Sequence, residues 1–443
     1  MIELSGWGRH PVVATRLHSP PSPGELCALV PELDDYVARG NGRAYGDAAI
    51  GLRSSVSTRR LDRMRSFDPE TGRLTVEAGA LLSDVIASFL SRGFFPPVVP
   101  GTKFVSVGGM VAADVHGKNH HRDGGFGAHV ETLQLALADG EVVTCSTSSN
   151  PELFAATVGG MGLTGTIIEA SFRLRRVESG WIRQRTVAAG NLEAAMQALD
   201  EADASPYSVA WIDCLANGQA LGRSLIHLGE HASADELARS GGKSRFPVVG
   251  AHGRKMPFDL PGFALNSWSV RSFNELYFRR GTAQTGEARL VPIDPYFFPL
   301  DGLLEWNRIY GRRGFVQHQC VIPTASAAAT LAEILGRIAR RGEGSFLAVL
   351  KKLGSGSGLM SFPMPGYTLA LDFPVRRGLF AFLDEIDALV ARAGGRIYLA
   401  KDACQSRRTF EAGYPALAEF RRIRRDQARS LRVRSHLAER LGI

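Results

Sequence analysis

Three short segments within the first 165 residues concentrate glycine, and together they could bind a large anionic ligand. They span residues 39–47, 100–113 and 159–165. Glycine has no Cβ, so backbone N–H groups in such loops can approach a ligand closely, and clustered N–H groups bind phosphate oxygens. One glycine-rich loop is usually only a tight turn. Three of them favour a phosphate-rich ligand such as a dinucleotide.

The third segment contains a formal dinucleotide fingerprint, Gly160-x-Gly162-x-x-Gly165, which we interpret as accidental. A genuine fingerprint follows a strand and begins a helix. Here a helical pattern precedes the glycines at residues 151–158, and an alternating, strand-like pattern follows at 164–177.

Residues 114–121 contain three of the eleven histidines. His116 and His120 are four residues apart, as in a metal-binding pair on a helix. However, Gly117 and Asn119 disfavour a helix there, and no acidic residue stands where a zinc protease would need one. We therefore expect polar contacts that line a ligand cleft and no metal. A metal pair and surface histidines remain the alternatives.

The composition is that of a globular protein, with 44% hydrophobic and 22% charged residues in a chain of 443. It excludes a disordered chain, a collagen-like chain and a disulfide scaffold. The formal net charge of +8 suits an anionic partner such as nucleic acid, a phosphorylated ligand or a membrane surface. The basic residues are scattered and lack an aromatic-interleaved motif, so we do not expect nucleic-acid binding.

The five cysteines are far apart and form no C-x-x-C motif, so we expect free, mostly buried thiols. Residues 1–20 lack the apolar core of a signal peptide, and no window approaches ~18 consecutive apolar residues. We therefore expect no signal peptide, no transmembrane helix and a cytoplasmic or membrane-peripheral location.

Helices and strands alternate irregularly along the chain. The patterns predict a helix over 81–92, a hairpin over 130–144 and amphipathic helices over 326–341 and 379–393. Residues 229–262 are weakly patterned and predict a mobile loop. Because the glycine-rich segments stop near residue 179, the chain is predicted to be an α+β protein of two domains.

These segments resemble the FAD-binding (PCMH-type) domain of the vanillyl-alcohol oxidase superfamily. The resemblance rests on Gly40-Asn-Gly-Arg-Ala-Tyr-Gly-Asp47, Pro100-Gly-Thr102, Val107-Gly-Gly109, His116-Gly-Lys-Asn-His-His121 and Val158-Gly-Gly-Met-Gly-Leu-Thr-Gly165. Later motifs are similar to the branch that oxidises polyprenylphosphoryl pentoses. They are Ala210-Trp-Ile-Asp213, Glu305-Trp-Asn-Arg308, Gln317-His-Gln319, Ser361-Phe-Pro-Met-Pro-Gly366, Leu371-Asp-Phe-Pro374 and Tyr398-Leu-Ala-Lys-Asp402.

The resemblance implies three parts, with the flavin at their junction. They are an FAD-binding domain of residues 1–179, a substrate domain of 180–395 with an antiparallel sheet, and a C-terminal return of 396–443 that completes the first domain. Matching the motifs residue by residue implies FAD contacts at Ala38, Arg39, Gly40, Asn41, Gly42, Arg43, Ala44, Tyr45, Gly46, Asp47, Ala48, Gly101, Ser106, Val107, Gly108, Gly109, Ala113, Asp114, Val115, His116, Ile167 and Tyr398.

Some members of the superfamily attach FAD covalently to a histidine in the first loop. The matching position here is Arg43, and arginine cannot form that bond. We therefore expect non-covalent FAD.

Flavin-dependent oxidation of an alcohol removes a hydride from carbon and a proton from the hydroxyl, so the site needs a base or a proton relay. The catalytic candidates are Lys401, Tyr45 and His116. Lys401 ends an apparent strand, and a lysine beside an apolar cleft can lose its proton at neutral pH. The alternatives are a surface ion pair with Asp402 for Lys401 and simple loop packing for Tyr45.

The substrate-binding candidates are Lys401 together with Lys118, Trp211, Phe297, Gln317 and Gln319. The two glutamines are two residues apart and face the same side of a strand, towards either a cleft or solvent. Trp211 and Phe297 would form an apolar wall, with core packing as the alternative.

The resemblance implies oxidation of the C2 hydroxyl of a polyprenylphosphoryl pentose to the 2-keto intermediate of an epimerisation. It further implies an NAD(P)H-dependent reductase that completes the epimerisation, and a quinone or oxygen as electron acceptor. The alternative is an aldonolactone or sugar-alcohol oxidase that acts on a small soluble polyol. A lipid-phosphate substrate would place the enzyme at a membrane surface, with Phe263 and Trp268 as candidate contacts.

Overall fold

The computed structural model describes residues 1–241, 243–247, 253–429 and 431–443. Its N-terminal part contains a four-stranded sheet of order β1-β2-β4-β3, an antiparallel five-stranded sheet of order β5-β6-β10-β8-β9, and the pair β7-β11. The strands are β1 Ile2–Ser5, β2 Val12–His18, β3 Val37–Arg39, β4 Ser54–Ser57, β5 Met64–Phe67, β6 Arg73–Glu77, β7 Phe94–Phe95, β8 Val130–Ala136, β9 Val142–Cys145, β10 Thr166–Arg173 and β11 Arg175–Arg176.

Short helices connect these strands. They are α1 Pro23–Leu29, α2 Leu82–Phe89, α3 Val107–Ala112, α4 His120–Asp123 and α5 Pro151–Thr157, with 3-10 turns at Val30–Glu32, Leu90–Arg92 and Phe126–His129. The predicted helix over 81–92 is confirmed, and it ends at Gly93, whose φ of 81° few other residues adopt. The predicted hairpin is confirmed as β8 and β9.

The central part of the chain forms an antiparallel eight-stranded sheet of order β16-β12-β14-β13-β19-β20-β18-β21. Its strands, with the small pair β15-β17, are β12 Trp181–Ala189, β13 Tyr207–Ile212, β14 Ser224–His231, β15 Arg254–Lys255, β16 Arg289–Pro292, β17 Leu303–Leu304, β18 Phe315–Pro323, β19 Ala348–Leu353, β20 Gly366–Pro374 and β21 Arg396–Ile397. Helices α6, α10 and α11 cover one face in a core that contains Leu199, Leu331 and Ile386. The helices of this part are α6 Leu192–Glu201, α7 Ala234–Arg239, α8 Ser267–Thr282, α9 Ile293–Phe297, α10 Thr324–Arg341 and α11 Leu379–Arg392, with 3-10 turns at Gly218–Ala220 and Trp306–Tyr310.

The expectation of one loop over residues 229–262 is wrong for the part that the structure describes. Strand β14 extends to His231, and α7 follows with a capping box between Ser233 and Glu236. Residues 242 and 248–252 lie outside the described residues.

The last segment joins both parts of the molecule. Strand β21 pairs with β18 at the edge of the eight-stranded sheet. Helices α12 Arg407–Gly413, α13 Leu417–Asp426 and α14 His436–Leu441 then pack into the N-terminal core through residues such as Phe410 and Phe420. Arg440 pairs with Asp47 at 2.9 Å and with Asp402 at 3.0 Å. The α+β class is confirmed, whereas the boundaries at residues 179 and 395 remain a prediction.

Candidate active site

A cavity of about 720 Å³ lies between the glycine-rich segments and the sheet face that the helices leave uncovered. We call the residues within 38–48, 99–118 and 161–167 that border it the glycine wall. Of the predicted FAD contacts, the following line the cavity: Ala38, Gly40, Asn41, Gly42, Arg43, Ala44, Tyr45, Ala48, Gly101, Ser106, Gly108, Gly109, Ala113, Val115, His116, Ile167 and Tyr398. All six substrate-binding candidates also line it.

The opposite side of the cavity, which we call the sheet floor, consists of alternate residues of seven strands. Its main side chains are Gln184, Val209, Trp211, His227, Arg289, Val291, Gln317, Gln319, Val349, Lys351 and Ala370. The strand register places Gln319, Ala370, Val349 and Trp211 in one row across four strands. Because side chains alternate along a strand, neighbours such as Leu350 point into the helix-covered core instead.

Lys401 lies where the glycine wall meets the sheet floor. Its Nζ is 3.5 Å from the centre of the Tyr45 ring. Burial lowers the pKa of Lys401 to about 7, with Asp372 opposing and Lys351 reinforcing that shift. The amine is therefore able to accept or hold a proton near neutral pH. The alternative of a surface pair with Asp402 does not apply, because the Asp402 carboxylate is buried and pairs with Arg440.

The carboxylate of Asp372 stands behind this lysine. It accepts hydrogen bonds from Gln317 Nε2 at 2.6 Å and from the Tyr310 hydroxyl at 3.0 Å. Burial raises the pKa of Asp372 to about 7, although both hydrogen bonds and Lys401 favour the charged form. Asp372 and Lys401 thus influence each other, because each favours the charged form of the other. In contrast, burial raises the pKa of Tyr45 far above its ordinary value, so its hydroxyl remains a donor.

His116 is held as a neutral ring at the inner end of the cavity. The amide of Gln319 donates to His116 Nε2 at 3.0 Å and to Thr368 Oγ1 at 3.1 Å. Burial, followed by the charge of Lys351, holds the pKa of His116 well below its ordinary value. With Nε2 as acceptor, Nδ1 carries the proton, and this buried atom has no hydrogen-bond partner among the described residues. It is available to a ligand.

Another part of the cavity, next to strand β13, is bordered by Lys118 and by the aromatic side chains of Trp211 and Phe297. Lys118 Nζ donates to the carbonyl of Tyr296 and lies 5.7 Å from the Phe297 ring centre. Burial, with a contribution from Lys351, lowers the pKa of Lys118 to about 7. Trp211 packs against Tyr277, with ring centres 4.8 Å apart, and completes an apolar wall.

Five predicted FAD contacts do not line the cavity, and three of them connect the glycine wall to neighbouring segments through their side chains. Asp47 pairs with Arg440, and Asp114 accepts a hydrogen bond from Ser361 Oγ at 2.6 Å. Arg39 donates to backbone carbonyls of two neighbouring segments. The five residues are Arg39, Gly46, Asp47, Val107 and Asp114.

Sequence reasoning missed several polar residues of the site. Asp372 belongs to the Leu371-Asp-Phe-Pro374 motif, but an isolated aspartate in a strand gave no indication of its partners. Lys351 is the first of two adjacent lysines, and only the strand register shows that it faces the cavity whereas Lys352 faces away. Thr368 and Tyr310 carried no sequence signal.

The glycine wall fits a bound FAD. A Cβ at Gly40 would lie 2.0 Å from Ser106 Oγ and 3.2 Å from Ser106 Cβ, so the first two loops approach each other closely at this glycine. At Gly101 and Gly162 a Cβ would meet no atom within 4 Å, which leaves room for a ligand against the backbone. Arg43 lines the cavity, and its guanidinium carbon lies 3.8 Å from the centre of the Trp7 ring.

Comparison with known proteins identifies the family of the chain. Residues 20–146 match a family described as an FAD binding domain. The chain is 35% identical over 432 residues to the decaprenylphosphoryl-β-D-ribose oxidase of Mycolicibacterium smegmatis, which covers 95% of this chain and 93% of that protein. It is 28% identical over 162 residues to the D-arabinono-1,4-lactone oxidase of Yarrowia lipolytica, which covers 35% of this chain and 31% of that protein.

The long alignment shows the family, and the family establishes the cofactor class. The predictions of an FAD cofactor and of an oxidoreductase that acts on CH–OH groups are confirmed. The chain belongs to the decaprenylphosphoryl-β-D-ribose oxidase family of FAD-dependent oxidoreductases.

Proposed function

We propose that this enzyme oxidises the C2 hydroxyl of a polyprenylphosphoryl pentose, such as decaprenylphosphoryl-β-D-ribose, to the 2-keto intermediate of an epimerisation. The observation that carries the proposal is the position of Lys401 at the junction of the glycine wall and the sheet floor, beside apolar walls. We assign residues 1–179 and 396–443 to FAD binding and residues 180–395 to substrate binding.

Bound FAD supplies the hydride acceptor. The side chains of the cavity accept the hydroxyl proton and bind the sugar. Lys401 in its neutral form accepts the hydroxyl proton, because its pKa of about 7 suits a base that works near neutral pH. The Tyr45 hydroxyl and the neutral His116 ring donate hydrogen bonds that orient the reacting oxygen. Gln317, Gln319 and Lys118 bind other sugar oxygens. Trp211 and Phe297 exclude water from the reaction.

The remaining steps involve partners outside the chain. We propose that a quinone or oxygen reoxidises the flavin and that a separate NAD(P)H-dependent reductase reduces the 2-keto product. Because Arg43 stands at the attachment position, we propose that FAD is bound non-covalently.

We also propose that the enzyme works peripherally at a membrane. No helix in the described part of the chain is long and apolar enough to span a bilayer. However, Phe263 and Trp268 are 78% and 82% exposed. Phe263 lies just before helix α8, and Trp268 lies in its first turn. Phe273 and Tyr277 of the same helix line the cavity. An apolar surface next to the cavity mouth would allow a lipid chain to enter from a bilayer.

Two measurements test these proposals. Acid precipitation of the purified protein should release the flavin absorbance into the supernatant, and a flavin that stays in the pellet would contradict non-covalent binding. Turnover should then be compared between farnesylphosphoryl-β-D-ribofuranose and D-arabinono-1,4-lactone. Preference for the lactone would overturn the lipid-phosphate assignment and favour the small-polyol oxidases, whose match covers only a third of the chain.

A further inference from the structure

Lys351 is a cavity cation for which the described part of the chain offers no partner. Among the described residues that line the cavity are Arg43, Lys118, Arg289, Lys351 and Lys401, and there is no Asp or Glu. Lys118 donates to a backbone carbonyl and Lys401 has Asp372 nearby, but Lys351 makes no hydrogen bond or ion pair with any described residue.

The neighbouring lysine on the same strand, in contrast, does have acidic partners. Lys352, the next residue of β19, points to the opposite face of the sheet and pairs with Asp200 at 2.9 Å and Asp203 at 2.8 Å. Burial lowers the pKa of Lys351 to about 8, and its charge in turn lowers the pKa of Lys118, His116 and Lys401. A partly buried cation without a partner among the described residues, which disfavours the protonated forms of its neighbours, indicates a site that receives an anion.

The order of side chains along the sheet floor suggests which anion. Gln319 on β18 bonds to Thr368 on β20, and Thr368 is directly opposite Lys351 on β19. On β13, which neighbours β19, Trp211 is opposite Val349 and therefore diagonal to Lys351. Trp211 contacts Tyr277 of α8, which is 38% exposed. Strands are about 5 Å apart, so Lys351 lies roughly 10 Å from the Gln319 strand. From β18 across the sheet to β13, the strands therefore carry first polar side chains, then the cation Lys351 and then the aromatic side chain of Trp211.

We propose that Lys351, assisted by Lys118, binds the phosphate of the lipid-phosphate sugar, between the pentose at Gln319 and the prenyl chain at Trp211. This inference rests on the proposed function and names the subsite that would distinguish a phosphorylated substrate from a neutral polyol. An ammonium paired with a phosphodiester forms a charge-assisted hydrogen bond, which the described residues do not supply to Lys351.

The test compares two substrates in the FAD-loaded enzyme, farnesylphosphoryl-β-D-ribofuranose and farnesyl β-D-ribofuranoside, which lacks the phosphate. Lys351→Met should raise KM for the phosphorylated substrate by about 10- to 100-fold, with little change in kcat. On the alkaline plateau of the pH profile, where Lys401 is neutral in both proteins, it should leave kcat/KM for the neutral riboside unchanged. Lys351→Arg should recover part of the lost affinity, and Lys352→Met, on the opposite face, should behave as wild type. Calorimetric titration with farnesyl phosphate should show the same order of affinities without turnover.

The outcomes separate the inference from the proposed function. If the wild-type enzyme neither binds farnesyl phosphate nor oxidises the phosphorylated pentose, the proposed function itself fails. If it does both, and Lys351→Met weakens neither, the phosphate subsite is wrong. A loss of kcat on both substrates, or a loss of bound flavin, would place Lys351 at the reacting centre and would also overturn the inference.

Discussion

The glycine wall and the sheet floor meet at one cavity but are built in opposite ways. The glycine wall consists of contiguous loops in which neighbouring segments approach closely, as at Gly40 and Ser106. The sheet floor takes every second residue from seven strands that span residues 184 to 370. With Asp372 just behind it, the floor contributes Gln317 and Gln319 near Lys401, and Lys351 two strands away from these glutamines. Cofactor binding and substrate chemistry can therefore be altered separately.

The largest effect should come from filling the glycine wall. Gly40→Val would place a Cβ only 2.0 Å from Ser106 Oγ, so the Ser106 hydroxyl, which caps helix α3, would be displaced where the first two loops line the cavity. We expect protein without flavin absorbance and without activity. Gly190→Val is the matched control, because an added Cβ there meets nothing within 4 Å. A fully yellow Gly40→Val protein would refute the assignment of this loop to FAD.

Removal of the proposed base, Lys401, should not affect the binding of FAD to the glycine wall. Lys401→Ala should retain bound FAD but lower kcat by about 10²- to 10⁴-fold, the range associated with removal of a general base. Added ethylamine should restore part of the rate, since a free amine can occupy the space of the missing side chain. Lys352→Ala serves as the control. Near-normal turnover of Lys401→Ala would remove this lysine from the mechanism.

The pH dependence of kcat tests the interaction between Asp372 and Lys401. Asp372 raises the pKa of Lys401, and Lys351 lowers it. Asp372→Asn removes the negative charge, so the pKa of Lys401 should fall and the neutral amine should persist to lower pH. We expect the acid limb of the kcat profile to move to lower pH, with kcat at its plateau reduced by no more than about tenfold. A limb that stays in place or moves to higher pH would show that Lys401 is not the titrating base.

The two regions also differ in how far the sequence predicts them. Glycine-rich loops, the helix that ends at Gly93 and the 130–144 hairpin are local patterns, and the structure contains all of them in their predicted places. Helix α7 was missed because six residues are too few to establish a helical period. Its Ser233–Glu236 capping box was the available signal.

The sheet floor could not be derived from local pattern. The spacing of Gln317 and Gln319 showed that they share a face, but which face is buried depends on pairing with β20, where Asp372 lies 55 positions after Gln317. The partners of Asp372 and the isolation of Lys351 likewise follow from the register of distant strands. Substrate-facing residues brought together from many strands become visible only in the folded chain.

The smallest predicted effect tests whether the floor positions His116. Thr368 accepts one of the two hydrogen bonds donated by the Gln319 amide, and the other reaches His116. Thr368→Val keeps the side-chain shape and removes the acceptor, so Gln319 should orient His116 less well. We expect kcat/KM to fall about 2- to 10-fold, which corresponds to one ordinary hydrogen bond.

Thr144→Val on the exposed strand β9 should have no effect. Bound flavin should remain unchanged in both variants, because Thr368 contacts the floor residue Gln319 and does not line the cavity. A loss of flavin in Thr368→Val would instead show that the floor and the glycine wall are energetically coupled through His116.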